Sequence, residues 1–196
     1  MQRRNPEGCR LKTVVSPTDH PERQHPSEQQ LLMELKPYSQ DDMAVCLELF
    51  DLNCPRFFAR EERSDYSHFL RQLPDSRSTD NVYLLGWREQ CLIACFGVAR
   101  VSSETCALTW IMVHPEYQRQ GCGEEMMAQL STLAANEGYR KVAVSTSQHS
   151  DQFFARFGAV TLSSQKDGWG PGMHRVDMEI ILPSVNTLTD LHETHQ

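Results

Sequence analysis

Residues 106–113, Cys-Ala-Leu-Thr-Trp-Ile-Met-Val, make a strand-like run that is apolar on both faces. Such a strand belongs inside a sheet that is covered on both sides, because a face left in water would expose hydrocarbon. The chain then passes through a Pro-containing turn, His114-Pro115-Glu116-Tyr117, and reaches Gly121-Cys122-Gly123. That Gly-x-Gly opens an amphipathic segment with Met126, Met127, Leu130, Leu133 and Ala134 on its apolar face and Gly138 as its stop. A buried strand feeding a helix through a tight turn predicts an α/β domain.

The surrounding pattern fills in that domain. A first strand is expected at 32–35, then a helix that Ser39 caps with Asp42 three residues on and that Pro55 stops, then a second helix over 61–73. Strands at 82–85 and 92–99, joined as a hairpin by residues 86–90, precede the central run. After the Gly-x-Gly helix (121–137) come a strand at 141–145, a helix at 149–157, and strands at 160–163 and 175–182. Lys166–His174, with three glycines and a proline around Trp169, reads as a long loop between the last two strands. The order describes a central mixed sheet of six to seven strands with helices on both faces. Residues 1–31 read as a flexible N-terminal extension and 184–196 as a polar tail, leaving 32–183 as the domain.

Composition narrows the partners. No apolar run approaches the ~20 residues of a membrane-spanning helix, and the first residues lack the apolar stretch of a secretory signal. A cytoplasmic location without a membrane partner is expected. The net charge is -7, with five basic and four acidic residues in 1–30, so the remaining 166 residues carry about -8. An acidic body lacks the basic footprint of a nucleic-acid binder, and it suits a cationic amine. Seven cysteines make an odd count without a CxxC pair, which suggests free thiols and no metal site.

A helix N-terminus carries free N–H groups and a partial positive charge, both suited to phosphate. Gly121 and Gly123 lack a Cβ that would hold a bulky phosphate away, and Arg119 adds charge. Glu124 and Glu125 suit the helix dipole, but would repel a phosphate unless they face solvent. The GxxxxGK[ST] phosphate loop is absent, and Met126 stands where a dinucleotide fingerprint needs a third Gly or Ala.

Gln118-Arg119-Gln120-Gly121-Cys122-Gly123 resembles the [Gln/Arg]-x-x-Gly-x-[Gly/Ala] signature of the GNAT acetyltransferases, and Val113-His114-Pro115-Glu116-Tyr117 is similar to that family's lead-in. The resemblance implies the GNAT fold, with a splay between the fourth and fifth strands, and an acetyl-CoA-dependent N-acetyltransferase acting on a primary amine of a small molecule or peptide. It implies acetyl-CoA as co-substrate, no metal, and a monomer or homodimer. By position, Gln118 opens the signature and the amides of Arg119, Gln120, Gly121, Cys122, Gly123 and Glu124 would bind the pyrophosphate. Ile111, Met112 and Val113 would pair with the pantetheine arm.

The chain departs from the family pattern at the chemistry. Many members carry Asn-x-x-Ala-x-x-x-Tyr after the fifth strand, the Tyr serving as acid. Aligned from Phe157-Gly158, Ser147 falls at the Asn and Phe154 at the Tyr, where each would line the cofactor. Phe154 cannot donate a proton, so His149 is the nearest titratable substitute. Positions where relatives often carry Glu hold Ala107 and Ala143. His114, Glu116, His174, Asp177 and Glu179 are further candidates for the general base. Trp169 is the candidate substrate wall, able to stack on a cation. The absent Tyr and Glu leave a non-catalytic acyl-CoA-binding module as the alternative.

Overall fold

The structure, a computed structural model, describes residues 33–73 and 81–183. The expected N-terminal extension and C-terminal tail lie outside the described residues. Strand β1 (Glu34–Pro37) is followed by helices α1 (Met43–Asn53) and α2 (Arg63–Gln72). Strands β2 (Asn81–Arg88), β3 (Cys91–Arg100) and β4 (Thr105–Val113) come next. Helix α3 (Cys122–Asn136), β5 (Lys141–Ser147) and α4 (Asp151–Ala155) precede β6 (Val160–Gly170) and β7 (Met173–Ile181). The seven strands form one sheet in the order β1-β2-β3-β4-β5-β7-β6. All observed pairings are antiparallel except β4 with β5, so the sheet is mixed, as expected.

Local chemistry sets the boundaries. The Ser39 amide and hydroxyl both donate to Asp42 Oδ2, at 3.1 and 2.9 Å, and a turn of 3-10 helix there leads into α1. α1 ends at Asn53, whose side chain donates to the Leu49 carbonyl at 2.9 Å, before Pro55. The β2–β3 hairpin is tighter than the sequence pattern implied. Its strands continue to Arg88 and Cys91, and only Glu89 and Gln90 turn, both at positive φ as a two-residue hairpin requires.

The largest departure lies at 166–174. The expected loop is instead the continuation of β6, which bulges between Gln165 and Gly170 and turns into β7 through Pro171 and Gly172. Glycines at 170 and 172 take φ of 132° and 78°, which makes a tight turn possible where their number had suggested a loop.

Two cores sandwich the sheet. α3 buries Met126, Met127, Leu130 and Ala134 against one face, together with Cys106, Leu108, Val142, Val144 and Phe154. α1 and α2 bury Leu49, Phe50, Tyr66 and Leu70 against the other, with Tyr83, Leu85, Cys95 and Met112. The expectation of free thiols holds for Cys46, Cys54, Cys95, Cys106 and Cys122, but Cys91 is disulfide-bonded. No described helix is long and apolar enough to cross a membrane.

Gly97 on β3 faces Thr109 on β4. A Cβ there would overlap Thr109 Oγ1, lie 2.6 Å from Tyr83 Cδ2 and 3.1 Å from the Val82 carbonyl. Neither ring nor backbone can yield cheaply, so Gly97→Ala is expected to lower the unfolding free energy by about 1–3 kcal/mol, measured by urea denaturation.

Candidate active site

β4 and β5 pair over four residues, from Thr105 opposite Lys141 to Leu108 opposite Val144, and then separate. Both strands run on, β4 to Val113 beside β3 and β5 to Ser147 beside β7. The separation starts at a bulge. Cys95 pairs with Met112 and Gly97 with Thr109, so Phe96 alone faces both Trp110 and Ile111. Trp110 sits at φ 44°, a region that a bulky residue enters only where its surroundings hold it.

Buried hydroxyls supply that hold. Tyr83 donates to the Trp110 carbonyl at 3.1 Å, which leaves Tyr66 as donor to Tyr83 across 2.8 Å. Cys95 Sγ lies 3.1 Å from the Tyr83 hydroxyl. Burial pushes the Cys95 thiol up to about 11 and raises both tyrosines further, so the group stays neutral at physiological pH. Around it, Phe50, Phe58, Tyr66 and Phe69 pack on the Trp110 ring at 4.9 to 6.2 Å between centroids.

The gap between the strands opens into a cavity of about 860 Å³. Thr109–Ile111 and Val113 line it from β4, and Val144–Ser147 from β5. At one end stands the N-terminus of α3. Gly121 caps that helix at φ 88°, and Arg119 before it takes φ 61°. The first helical bond runs from the Glu125 N–H to the Gly121 carbonyl. The amides of Cys122, Gly123 and Glu124 therefore have no partner within the helix, in a turn of the kind that collects N–H groups into an anion-binding hollow. Asn53, Arg56, Phe57, Phe58 and Glu62, from the end of α1 and the segment leading into α2, complete the wall.

The expected cofactor residues fall into three groups. Ile111, Val113, Gln118, Arg119, Gly123, Glu124, Ser147 and Phe154 line the cavity, as does His149. Met112 and Cys122 bury their side chains in opposite cores and do not line the cavity. Gln120 reaches back to the Glu116 carbonyl, and Gly121 contributes the cap conformation. Gln118 is a strap: its amide donates to the Val113 carbonyl at 3.1 Å and to Asn53 at 3.4 Å, tying the loop to β4 and α1. At Gly123 the close approach is by the Phe153 ring, whose carbons would lie 2.8 and 2.9 Å from a Cβ. Nothing comes within 4 Å of such an atom at Gly121.

Two side chains differ from expectation in what they touch. The exposed Glu124 carboxylate turns onto Arg156 at 2.9 Å. Arg156 lies over Phe153 and Phe157 at 5.4 and 5.9 Å. Trp169 does stand in the cavity wall, but its N–H donates to the Thr146 carbonyl at 2.8 Å and one ring face carries Arg175 at 5.0 Å. It is built into the wall rather than held out to a cation. Gln148 ties the wall down, donating to the Gly172 carbonyl and accepting from the His174 amide, each at 2.8 Å. His114, Glu116, His174, Asp177 and Glu179 do not line the cavity. Asp177 is held by Ser145 and Arg175, and Glu179 by Lys141.

A sequence profile of the acetyltransferase (GNAT) family matches residues 46–159, more than half of the chain. The chain belongs to the GNAT acetyltransferase family. Solved structures share its architecture at low sequence identity, a likeness of fold. A GNAT-family protein from Desulfovibrio desulfuricans is 15% identical, with a TM-score of 0.65 over 77% of this chain and 99% of that one. An aminoglycoside 6′-N-acetyltransferase complexed with coenzyme A is 11% identical, with a TM-score of 0.62 over 77% and 98%. A protein from Salmonella typhimurium solved with acetyl-CoA is 14% identical, with a TM-score of 0.59 over 78% and 95%. A comparison with curated proteins returns no match.

Sequence reasoning missed Arg156 and Glu62 in this GNAT site. Arg156 meets Glu124 across 32 residues, a separation that no periodicity marks. Glu62 belongs to Arg60-Glu61-Glu62-Arg63, a charge run that reads as a solvated face.

Tyr83→Phe removes the donor to the Trp110 carbonyl and the acceptor for Tyr66. The expected loss of unfolding free energy is about 1–3 kcal/mol, because buried polar atoms are left unpaired; matched urea titrations of wild type and variant measure it.

Proposed function

We propose that the chain moves an acetyl group from acetyl-CoA to a primary amine of a small molecule or peptide, by direct attack of the amine on the thioester. The observation that carries this reading is the strand gap aimed at a helix N-terminus. The coenzyme is a diphosphate joined to an amide-bearing arm that ends in a thiol, and the cavity offers a match for each part. The free edges of β4 and β5 provide backbone hydrogen-bonding groups for the two amides of the arm. The amides of Cys122, Gly123 and Glu124, with Arg119 and Arg156 on the same wall, suit the diphosphate. The relatives crystallised with coenzyme A or acetyl-CoA support the same assignment.

Acetyl-CoA supplies the activated acyl carbon, and the chain's residues orient it. Ser147 is buried at the end of β5, and the Phe154 ring is buried beside α4, so the thiol end of the arm would meet a largely apolar wall. Among the described residues no tyrosine lines the cavity to protonate the departing thiolate. His149 is the one imidazole among them that lines it, and the group suited to return that proton. A thiol with a pKa near the ~8.5 of free cysteine also leaves acceptably without help.

Calorimetry with coenzyme A is expected to give a micromolar Kd. Gly121→Glu, which puts a carboxylate at the helix cap, should weaken binding by about tenfold or more through like-charge repulsion, with an unchanged circular dichroism spectrum. With acetyl-CoA and a panel of primary amines, free thiol should appear only when an accepted amine is present. Tight coenzyme binding with no thiol release on any amine would instead favour a non-catalytic acyl-CoA-binding module, the reading that the missing tyrosine supports.

A further inference from the structure

Among the described residues the cavity is lined by three arginines, two glutamates and one histidine, and these are its only titratable side chains. They are unevenly engaged. Arg119, Glu124 and Arg156 gather at the α3 end, where Glu124 is taken up by Arg156. His149 stands by the β5–α4 junction and is exposed. Glu62 is the one cavity carboxylate without an ion pair among the described residues, and it comes from the segment leading into α2.

Glu62 is held in place. It closes the short turn before α2, where its Oε1 accepts the Ala59 amide at 2.7 Å, leaving Oε2 without a hydrogen bond among the described residues. The side chain is half-buried, and burial is the main reason that its pKa stands above the ordinary glutamate value. Asp65 and Glu61, on its own segment, push in the same direction, while the Ala59 amide opposes them. From the preceding segment, Arg56 lines the same wall and Cys54 lies close enough to feel the carboxylate. β4 faces it with Thr109 and Trp110, which carry no charge, and Phe58 leans on Trp110 at 5.9 Å to make that wall aromatic.

Resting on the acetyltransferase reading above, we propose that Glu62 is the acceptor-binding group and general base: it takes the ammonium of an alkyl primary amine in the cavity, beside the wall that Phe58 and Trp110 form, and removes its proton. A carboxylate among aromatic faces recognises a cation, so the acceptor is an amine that arrives protonated, with a pKa near the ~10.4 of a lysine side chain, rather than an arylamine. Glu62 accepts one ammonium proton and frees the nitrogen lone pair. That pair forms the new C–N bond at the thioester carbonyl as the C–S bond breaks. The nitrogen's second proton goes to the thiolate, giving amide and free thiol, and Glu62 then releases its proton to solvent.

Glu62→Gln is the informative variant, because the amide oxygen still accepts the Ala59 N–H and the turn is kept. Wild type and variant are compared with acetyl-CoA and the alkylamine found in the panel. Coenzyme A affinity by calorimetry should match within about twofold, since Glu62 makes no hydrogen bond or ion pair with residues 118–124 among the described residues, and kcat/KM should fall by about a hundredfold, the usual scale of a lost general base. The pH profile separates this role from a structural one. A base works deprotonated, so wild-type kcat/KM should fall as pH drops through the raised Glu62 pKa and hold a plateau above it. The variant must wait for neutral amine, and its kcat/KM should climb by about tenfold per pH unit up to the amine's own pKa. An arylamine forced at high concentration should show no such difference. If wild type turns over an alkylamine while Glu62→Gln keeps both its kcat/KM and its plateau, the proposal is overturned. If wild type fails to bind coenzyme A, calorimetry reports it before any amine is added, and the underlying acetyltransferase reading falls with it.

Discussion

The site exists because one strand pair stops pairing. β4 and β5 are bonded through Leu108 and Val144, and a single extra residue in β4, at Trp110 and Ile111, then turns the strand away. Backbone groups in a central sheet are normally satisfied by the neighbouring strand, so a gap there leaves donors and acceptors that need another partner. The strain at Trp110 is tolerated because its carbonyl is held by Tyr83 and its ring is packed by four aromatic side chains. The gap is thus supported from beneath by the core that α1 and α2 build.

Much of this frame is legible in the sequence, because the elements concerned have strong periodicity or distinctive turn residues. The two-faced apolar run at 106–113, the Gly-x-Gly opening of α3 and the Ser39–Asp42 cap each stand where they were expected. The region after Ser163 was not legible. Lys166, Asp167 and three glycines carry no alternation, yet β7 offers a complete edge and the chain pairs with it through a bulge. Tertiary pairing there outweighs local preference. The disulfide at Cys91 was equally hidden, since spacing alone cannot report which thiols meet.

The site was legible where a short motif encodes it and obscure where distant segments assemble it. Gln118 to Gly123 form one turn, and backbone conformation follows directly from its glycines. Gln118 itself proved to be a tie between that turn, β4 and α1, a role that a linear signature cannot convey. Arg156 and Glu62 reach the cavity only through the packing of α4 and of the segment before α2. Likewise, Trp169 lines the cavity, but its existing partners, Thr146 and Arg175, come from β5 and β7.

The sheet also separates two jobs. The α3 end of the cavity rests on the core built by α3 and α4, whereas Phe58 and Trp110 rest on the core built by α1 and α2. The two hydrophobic cores lie on opposite sides of the strands, so side chains in one can be exchanged with little repacking of the other. The wall that α1 and α2 support can therefore change in descendants of this chain while the turn that opens α3 keeps its shape.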